Sequence, residues 1–331
     1  MRFNWATGQM EEDDEEIIPQ KKEDHNIKLK LISEFNPKVD WSTQKIISYS
    51  QFNIYSTCPH KWNLMYRLGL DKQPPNIHLI FGTAIHQSIQ EFIRIYYSET
   101  IKKAQEFDIE SYFQIALSDE YKKSFKKNKD NHFSSPQELR EFYDEGVLIL
   151  KELRKKVKKF FGKKDYKLVG IETPLFYNPL SSHKNVYFKA SLDLIIFHEP
   201  SGEYYIYDFK TSTRGWGKED KNDETKQFQL ILYKQLFSEL YNFPIENIDV
   251  QFLILRRKIE PSEWIAYPKR IQEFNPPAGK IKLKQVNTSF MSFINDIFDN
   301  NGNYIIKEYP KNPTKLCDWC YLKKENICDG K

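Results

Sequence analysis

Apolar residues in the first half of the chain recur at helical spacing. A series led by Ile85 and Ile89 repeats every three or four residues, which predicts a helix with one buried face. The same period runs from Leu139 to Phe160, and we expect further helices over residues 100–165. The polar side of the predicted helix between Leu139 and Phe160 carries five lysines, namely Lys151, Lys155, Lys156, Lys158 and Lys159. Such a face is most often solvated and less often follows a phosphate backbone.

From Leu168 onward the pattern changes to short runs of β-branched and aromatic residues, which predict strands. These runs are Val169–Glu172, Val186–Phe188, Leu192–Phe197, Tyr204–Asp208, Val250–Leu255 and Trp264–Tyr267. Helices are predicted between and after them, at Lys226–Leu240 and Thr288–Phe298. Helices followed by strands, a helix and more strands predict an α/β fold with a mixed central sheet flanked by helices.

The runs Leu192–Phe197 and Tyr204–Asp208 flank a Pro-Ser-Gly turn signal and predict a β-hairpin. Strand side chains alternate between faces, so Asp208 and Lys210 point the same way. Asp193 in the first strand can join them at one edge of the sheet. Two carboxylates can hold a divalent cation, and a lysine can orient water or stabilise the charge that develops on a phosphate. The alternative is an exposed ion pair beside an aspartate that closes a turn.

Length and composition restrict the class of protein. The chain has 331 residues, 40% of them hydrophobic, which can fill the core of one large domain or two modest ones. No apolar run approaches the roughly 20 residues that span a bilayer. The acidic N-terminus is unlike a secretory signal, so we expect an intracellular, cytoplasmic protein with no membrane partner. Its four cysteines are then not expected to form structural disulfides.

The formal net charge of +4 conceals an asymmetry. Residues 1–24 contain eight acidic and three basic side chains, so the rest of the chain carries a net charge of +9, which suits a polyanionic partner. The acidic block Glu11–Glu16 repels itself, and residues 1–40 are predicted to be a disordered tail. The alternatives are an arm that docks a replication or recombination partner, and a mimic of nucleic-acid charge.

The cysteines lie at both ends of the region that is predicted to be ordered. Cys317, Cys320 and Cys328 have a spacing typical of metal ligands, and Cys58 can complete a site of four thiolates. The alternative is four unrelated thiols. His86 lies on the same broad side of its predicted helix as Ile85 and Ile89, where a histidine is more often a core residue than a ligand.

Four short blocks, taken in order, resemble the motifs of the PD-(D/E)XK nucleases of the RecB-like group. They are Gly82–His86, Ser191–Asp193, Asp208–Thr211, and Gln229 with Tyr233 four residues later. The cysteine pattern is similar to that of the branch with an iron–sulfur cluster, which includes the AddB nuclease domains and the CRISPR-adaptation nucleases. The resemblance covers roughly Ser48 to Cys328. The gap between Cys320 and Cys328 is longer than is usual in the family, so zinc stays open as an alternative to iron.

The resemblance implies a restriction-endonuclease-like fold and a role for each block. It implies that His86, Asp193 and Asp208 bind Mg²⁺ or Mn²⁺. The catalytic residues would be Lys210, Asp193, Asp208, Gln229 and Tyr233. The [4Fe–4S] cluster, or a structural Zn²⁺ in its place, would be bound by Cys58, Cys317, Cys320 and Cys328.

The resemblance also implies a function and a domain plan. The function is that of a metal-dependent DNA nuclease, an exonuclease on single strands or DNA ends, in repair, recombination or replication. The alternatives are a structure-specific or nicking endonuclease of the same fold and a non-catalytic subunit that binds DNA ends. The expected plan is a tail over residues 1–40, a nuclease domain over 41–316 with a helical insertion at about 98–165, and a cysteine segment over 317–331.

Overall fold

A computed structural model of the chain describes residues 2–4, 9–11, 44–70, 73–178, 183–259 and 269–330. Near the N-terminus, β1 (Arg2–Asn4) pairs antiparallel with β2 (Gln9–Glu11), so the prediction of a disordered tail was wrong for these six residues. The rest of the predicted tail, including all of the acidic block after Glu11, lies outside the described residues. The predicted strand at Trp264–Tyr267 lies outside them as well.

Six strands form one mixed sheet. They are β3 (Lys45–Ile47), β4 (Tyr166–Tyr177), β5 (Val186–His198), β6 (Glu203–Ser212), β7 (Ile248–Arg256) and β8 (Ile271–Phe274). The strand order is β3-β5-β6-β7-β8, and β4 pairs with β5. The β3–β5 and β6–β7 pairs are parallel, whereas the β4–β5, β5–β6 and β7–β8 pairs are antiparallel. The sheet confirms the predicted α/β fold, and the β5–β6 pair confirms the predicted hairpin.

The described residues also form ten α-helices. They are α1 (Tyr49–Thr57), α2 (Pro59–Trp62), α3 (Ile77–Ser98), α4 (Ile101–Glu106), α5 (Ile109–Lys127), α6 (Pro136–Phe161), α7 (Lys218–Asn222), α8 (Glu224–Tyr241), α9 (Lys280–Ile297) and α10 (Tyr321–Lys324). Helices α4 to α6 confirm the helical content predicted for residues 100–165. Helices α8 and α9 confirm the two helices predicted downstream.

Two apolar cores occupy the two faces of the sheet, as β6 shows. Tyr204 and Ile206 belong to the first core, and Tyr207 and Phe209 to the second, because neighbouring strand residues face opposite ways. Helices α1, α8 and α9 fill the first core, and α3, α5 and α6 fill the second. The sheet is thereby fixed from both sides around the end of β6 that carries Asp208 and Lys210.

Helix α6 buries its predicted apolar side in the second core. Its lysine-rich side faces solvent, where three of the five lysines form ion pairs with nearby glutamates. The pairs are Lys151–Glu110, Lys156–Glu152 and Lys159–Glu273. Because these charges are already paired, the geometry favours a solvated face over a surface that follows phosphates.

The structure departs from the predicted elements in three places. The runs Val186–Phe188 and Leu192–Phe197 are one strand, β5. Strands β3 and β8 were not predicted, because three or four residues are too few to show a period. Trp62, Met65, Tyr66 and Leu68 recur at helical spacing in the sequence, which favours one helix, but α2 ends at Trp62 and a π-helical turn continues over Asn63–Arg67.

Candidate active site

Two aspartates lie side by side where β5 and β6 separate. The pairing of these strands ends at Leu194 and Tyr207, and Asp193 and Asp208 are the next residues on each strand. Beyond this point β5 turns to pair with β3. Asp193 and Asp208 therefore lie beside the gap between β5 and β6, at a position of the sheet that helices α3 and α8 approach.

Asp193 is fixed by the neighbouring strand. Its Oδ2 accepts a hydrogen bond from the backbone N–H of Phe209 at 2.7 Å. Burial raises the pKa of Asp193 to about 6, and the nearby Lys210 ammonium opposes part of that rise. The carboxyl group therefore changes charge near pH 6 and not near pH 4, and a shift of this kind is common at functional sites.

Asp208 is buried and contacts two other predicted site residues. Gln229 Nε2 donates to Asp208 Oδ1 at 3.0 Å, and Lys210 Nζ lies 2.7 Å from Oδ2. Burial raises the pKa of Asp208 to about 6, against the effect of Lys210 and with a smaller contribution from the charge of Asp193. Gln229 Nε2 also donates to the Tyr233 hydroxyl at 3.2 Å. Gln229 and Tyr233 are one turn apart on α8, so the helix contacts Asp208 through Gln229, which Tyr233 helps to orient.

His86 extends from α3 toward the same carboxyl groups. Its Nδ1 lies 3.7 Å from Asp193 Oδ2, and its ring packs edge-on against Phe209 with centroids 5.6 Å apart. Burial lowers the pKa of His86 to about 4, so the imidazole is neutral at physiological pH, the form that binds metals. Its half-buried position beside a carboxylate differs from that of a core histidine.

Glu172 lies outside the four sequence motifs, and it faces the site from β4. It lies between the register pairs Ile171–Leu194 and Thr173–Leu192, directly across from Asp193. Its backbone is in the left-handed region with φ of 49°, which is uncommon for a glutamate. The sequence signal that could have found it is that Glu172 is the sole acid in the twelve residues of β4.

Two hydrogen bonds fix the Glu172 carboxylate. Gln90 Nε2 donates to Oε1 at 2.6 Å, and Ser191 Oγ donates to Oε2 at 2.6 Å. Gln90 is buried in α3, one helical turn after His86, and its amide also lies 3.4 Å from the backbone carbonyl of Asp193. The chain thus holds a third carboxylate beside the aspartate pair by means of two side chains that the motifs do not include.

The donor set fits a hard divalent cation. Asp208 Oδ2 is buried and accepts no well-aligned hydrogen bond from the described residues, so it has a lone pair available beside its ion partner Lys210. Carboxylate oxygens suit Mg²⁺ and Mn²⁺, and an imidazole shifts the preference toward Mn²⁺. As arranged, no three His, Cys, Asp or Glu side chains of the described residues are close enough together to enclose a metal ion.

The structure brings the two cysteine-bearing regions near each other. Asn312 donates to the carbonyl of Thr57 at 2.9 Å, and the N–H of His60 donates to the carbonyl of Pro310 at 3.0 Å, on either side of Cys58. Cys320 and Cys328 both pack against the small apolar cluster of Leu64, Met65 and Leu322. The segment that carries Cys317, Cys320 and Cys328 is therefore anchored on the helical turns that follow Cys58.

Backbone N–H groups point at three of the four sulfur atoms. The donors are Lys61 to Cys58 Sγ at 3.4 Å, Thr314 to Cys317 Sγ at 3.5 Å, and Gly330 to Cys328 Sγ at 3.5 Å. All four cysteines are half-buried and free of disulfides. As they stand in the described part of the chain, no three of these cysteines lie close enough together to enclose a metal ion.

Comparison with known proteins gives one match. The family model of the PD-(D/E)XK nuclease superfamily matches residues 46–329, a range that includes every predicted site residue. A search of curated proteins found none that matches. None of the helices in the described part of the chain has the length and apolar character that crossing a membrane requires.

Proposed function

Since the chain belongs to the PD-(D/E)XK nuclease superfamily, we propose that it is a DNA exonuclease dependent on Mg²⁺ or Mn²⁺ that acts on single strands or DNA ends. The observation that carries the proposal is the convergence of Asp193, Asp208 and Lys210 at one position of the sheet. A module that only binds DNA has no need for two buried carboxylates that share a lysine. The family membership implies a nuclease, and the substrate and mode of attack are the proposal.

The carboxylates and the histidine would hold the cation. Asp193, Asp208 and neutral His86 would be its ligands, and when bound it would supply a nucleophilic water and a Lewis acid for the phosphate oxygens. Lys210, with its ammonium beside Asp208, would orient the attacking water and stabilise the negative charge that develops on the phosphate. Glu172, facing Asp193, adds negative charge that favours cation binding.

The α8 pair would keep the site in order. Gln229 holds Asp208 Oδ1, which directs the other carboxylate oxygen toward Lys210. Tyr233 is buried and burial raises its pKa far above the ordinary value, so its hydroxyl stays protonated and serves as a neutral partner of Gln229. These contacts give the pair a positioning role in the proposed reaction.

We further propose that Cys58, Cys317, Cys320 and Cys328 bind a [4Fe–4S] cluster, as in the AddB-like and CRISPR-adaptation branch of RecB-like nucleases. The support is the N–H···S contacts and the anchoring of the C-terminal segment beside Cys58. A structural Zn²⁺ uses the same ligands and is the alternative that metal analysis separates.

Digestion of end-labelled DNA tests the proposed function. Linear single strands, linear duplex and circular single strands are incubated with Mg²⁺, Mn²⁺ or EDTA, beside the matched variant Asp208→Asn. We expect progressive shortening of linear DNA, intact circles, and no reaction in EDTA or with the variant. Cleavage of circles would replace the proposal with the endonuclease alternative. Tight binding of DNA ends without any cleavage would replace it with the non-catalytic alternative.

A further inference from the structure

An open cavity of about 560 Å³ lies beside the candidate active site on the ribbon of β3, β5 and β4. We call it the ribbon groove. Its lining residues are Ile46, Ser48, Gln51, Pro174, Lys189, Ala190 and Ser191. Lys189 and Ser191 are exposed, whereas Phe188 and Leu192, which point to the other face of β5, are buried. Lys189 and Ser191 therefore form the solvent side of the groove, whereas Ala190, which packs against the first core, forms its inner border.

The ribbon groove is continuous with the site. Lys189 and Ser191 lie two residues apart on one face of β5, at a step of about 7 Å, and Asp193 follows where the buried side chains change from the first core (Leu192) to the second (Leu194). Ser191, which lines the groove, donates its hydrogen bond to Glu172 at 2.6 Å. A strand whose phosphate sits at Asp193 would thus place its neighbouring nucleotides over Ser191 and Lys189.

An aromatic pair extends the same face. Phe176 stands opposite Lys189 in the β4–β5 register, and it stacks on Tyr187 with parallel rings whose centroids are 4.9 Å apart. Both rings are half-buried, so part of each remains accessible to a ligand. Flat aromatic groups alternating with a cation are the features by which proteins bind unpaired strands, since a base can stack on a ring and a phosphate can meet an ammonium.

We infer that the ribbon groove binds the nucleotides next to the scissile phosphate of a single DNA strand. Lys189 contacts the phosphate that follows the site, and the Phe176–Tyr187 pair receives a base. The inference rests on the proposed nuclease function and specifies its substrate further: a base can stack on this pair only after it has left a duplex, so the groove selects unpaired DNA.

Binding measurements in EDTA test the groove without cleavage. A fluorescein-labelled single strand is titrated with the full chain, with Lys189→Ala and Tyr187→Ala, and with the matched controls Lys127→Ala and Tyr121→Ala. Both controls lie outside the groove. Lys127 is exposed on α5, and Tyr121 stacks on Phe133 with ring centroids 4.7 Å apart. We expect each groove variant to raise the Kd about tenfold, the scale of one lost base–aromatic stack, and the controls to leave it unchanged.

Salt dependence separates a phosphate contact from a structural effect. Lys189→Ala should reduce the slope of log Kd against log salt by about 0.7, the share of one phosphate contact on a single strand, while Tyr187→Ala leaves the slope unchanged. Tyr187→Phe, which keeps the ring, should bind like the wild type. An unchanged Kd and slope for Lys189→Ala would overturn the inference even if Tyr187→Ala failed to fold.

A substrate-side experiment keeps the two proposals apart. Single strands with one abasic site at successive positions are cleaved by the wild type, and we expect a roughly tenfold loss confined to the one or two positions beside the cleaved bond. Equal cleavage of all these strands would reject the groove and leave the nuclease intact. Failure of the wild type to cleave any strand would reject the proposed function itself.

Discussion

Lys210 is the residue on which the proposed chemistry depends most directly. Its ammonium lies 2.7 Å from Asp208 Oδ2 and 6.0 Å from the centroid of the Phe252 ring. We predict that Lys210→Ala lowers DNA cleavage at least about a hundredfold, because the charge that develops on the phosphate loses its nearest cation. DNA affinity in EDTA should stay close to that of the wild type. Single-turnover cleavage and titration measure the two effects.

The matched control for this prediction is Lys167→Ala. Lys167 forms an ion pair with Glu199 at 2.5 Å, in the part of β4 beside the turn between β5 and β6. Its loss should leave both cleavage and affinity unchanged. Wild-type turnover by Lys210→Ala in Mg²⁺ would contradict the assignment of the catalytic lysine.

The aspartate pair predicts how metal binding depends on pH. Burial raises the pKa of Asp193 and that of Asp208 from 3.8 to about 6, so a metal must displace protons below that pH and binds freely above it. His86 does not limit binding there, because burial lowers its pKa to about 4. We expect Mn²⁺ to raise the melting temperature at pH 7 much more than at pH 5, measured by thermal unfolding.

Asp193→Asn provides the corresponding stability test. A folded-state pKa raised above the unfolded value means that the stabilising contribution of Asp193 is complete below about pH 4 and is lost as the pH rises through about 6. At pH 7 the metal-free protein therefore bears the cost of a buried charge. The neutral variant should be more stable in EDTA by about 1–3 kcal/mol and gain nothing from Mn²⁺. A variant that Mn²⁺ stabilises as it does the wild type would exclude Asp193 as a ligand.

At the scale of elements, α3 and β4 are joined at the site by Gln90. We predict that Gln90→Ala lowers nuclease turnover, because Glu172 keeps one of its two hydrogen bonds and its left-handed backbone is then less well fixed. The free energy of unfolding should fall by about 1–3 kcal/mol, the range for a hydrogen bond to a charged group. Cleavage kinetics and chemical denaturation measure the two quantities.

Gln235→Ala separates a local effect from general destabilisation. Gln235 is buried in α8, donates to Glu239 at 2.8 Å and contacts Asn287 on α9, away from the aspartates. Its loss should destabilise the fold to a similar extent and leave turnover near that of the wild type. Equal turnover in the two variants would show that Gln90 has a structural role alone.

At the scale of the molecule, the cysteines would connect the two ends of the nuclease domain. A centre shared by Cys58 and Cys317 closes a loop of more than 250 residues, and closing so long a loop removes much entropy from the unfolded chain. Metal binding then contributes to folding free energy. We predict that anaerobically purified protein is brown and that Cys58→Ala bleaches it and promotes aggregation.

Metal analysis of the same preparation distinguishes the possible centres. Iron with broad visible absorbance supports the cluster, and colourless protein with about one zinc per chain supports the alternative. Ser56→Ala, a change on the same turn that removes no sulfur, should keep the colour and the solubility of the wild type. Protein with neither iron nor zinc would show that the four cysteines are unrelated thiols.

The acidic tail should be dispensable for folding and for the chemical step. Glu11–Glu16 offers little apolar surface to bury, and among the described strands β1 and β2 pair only with each other, so deletion of residues 1–40 should leave the melting temperature and the turnover near those of the full chain. Calorimetry and DNA digestion check both quantities. Unfolding several degrees earlier would mean that the segment is a structural element.

The sequence by itself determined those features that depend on short-range geometry. Alternation along β6 was sufficient to place Asp208 and Lys210 on one face, and the four-residue step from Gln229 to Tyr233 was sufficient to place both on one side of α8. The apolar period of α6 determined its buried side in the same way. Each of these features follows from the repeat of a single element, which is local to the chain.

Only the tertiary structure decided what distant segments do together. Glu172 faces Asp193 because β4 pairs with β5 in one register, and Gln90 reaches it because α3 packs against that pair. The strand β3 and the ribbon groove beside it depend on the same pairing. The raised pKa values of the aspartates come from burial by the surrounding elements. These properties arise from contacts between residues that are tens to hundreds of positions apart in the sequence, and no local repeat encodes such contacts.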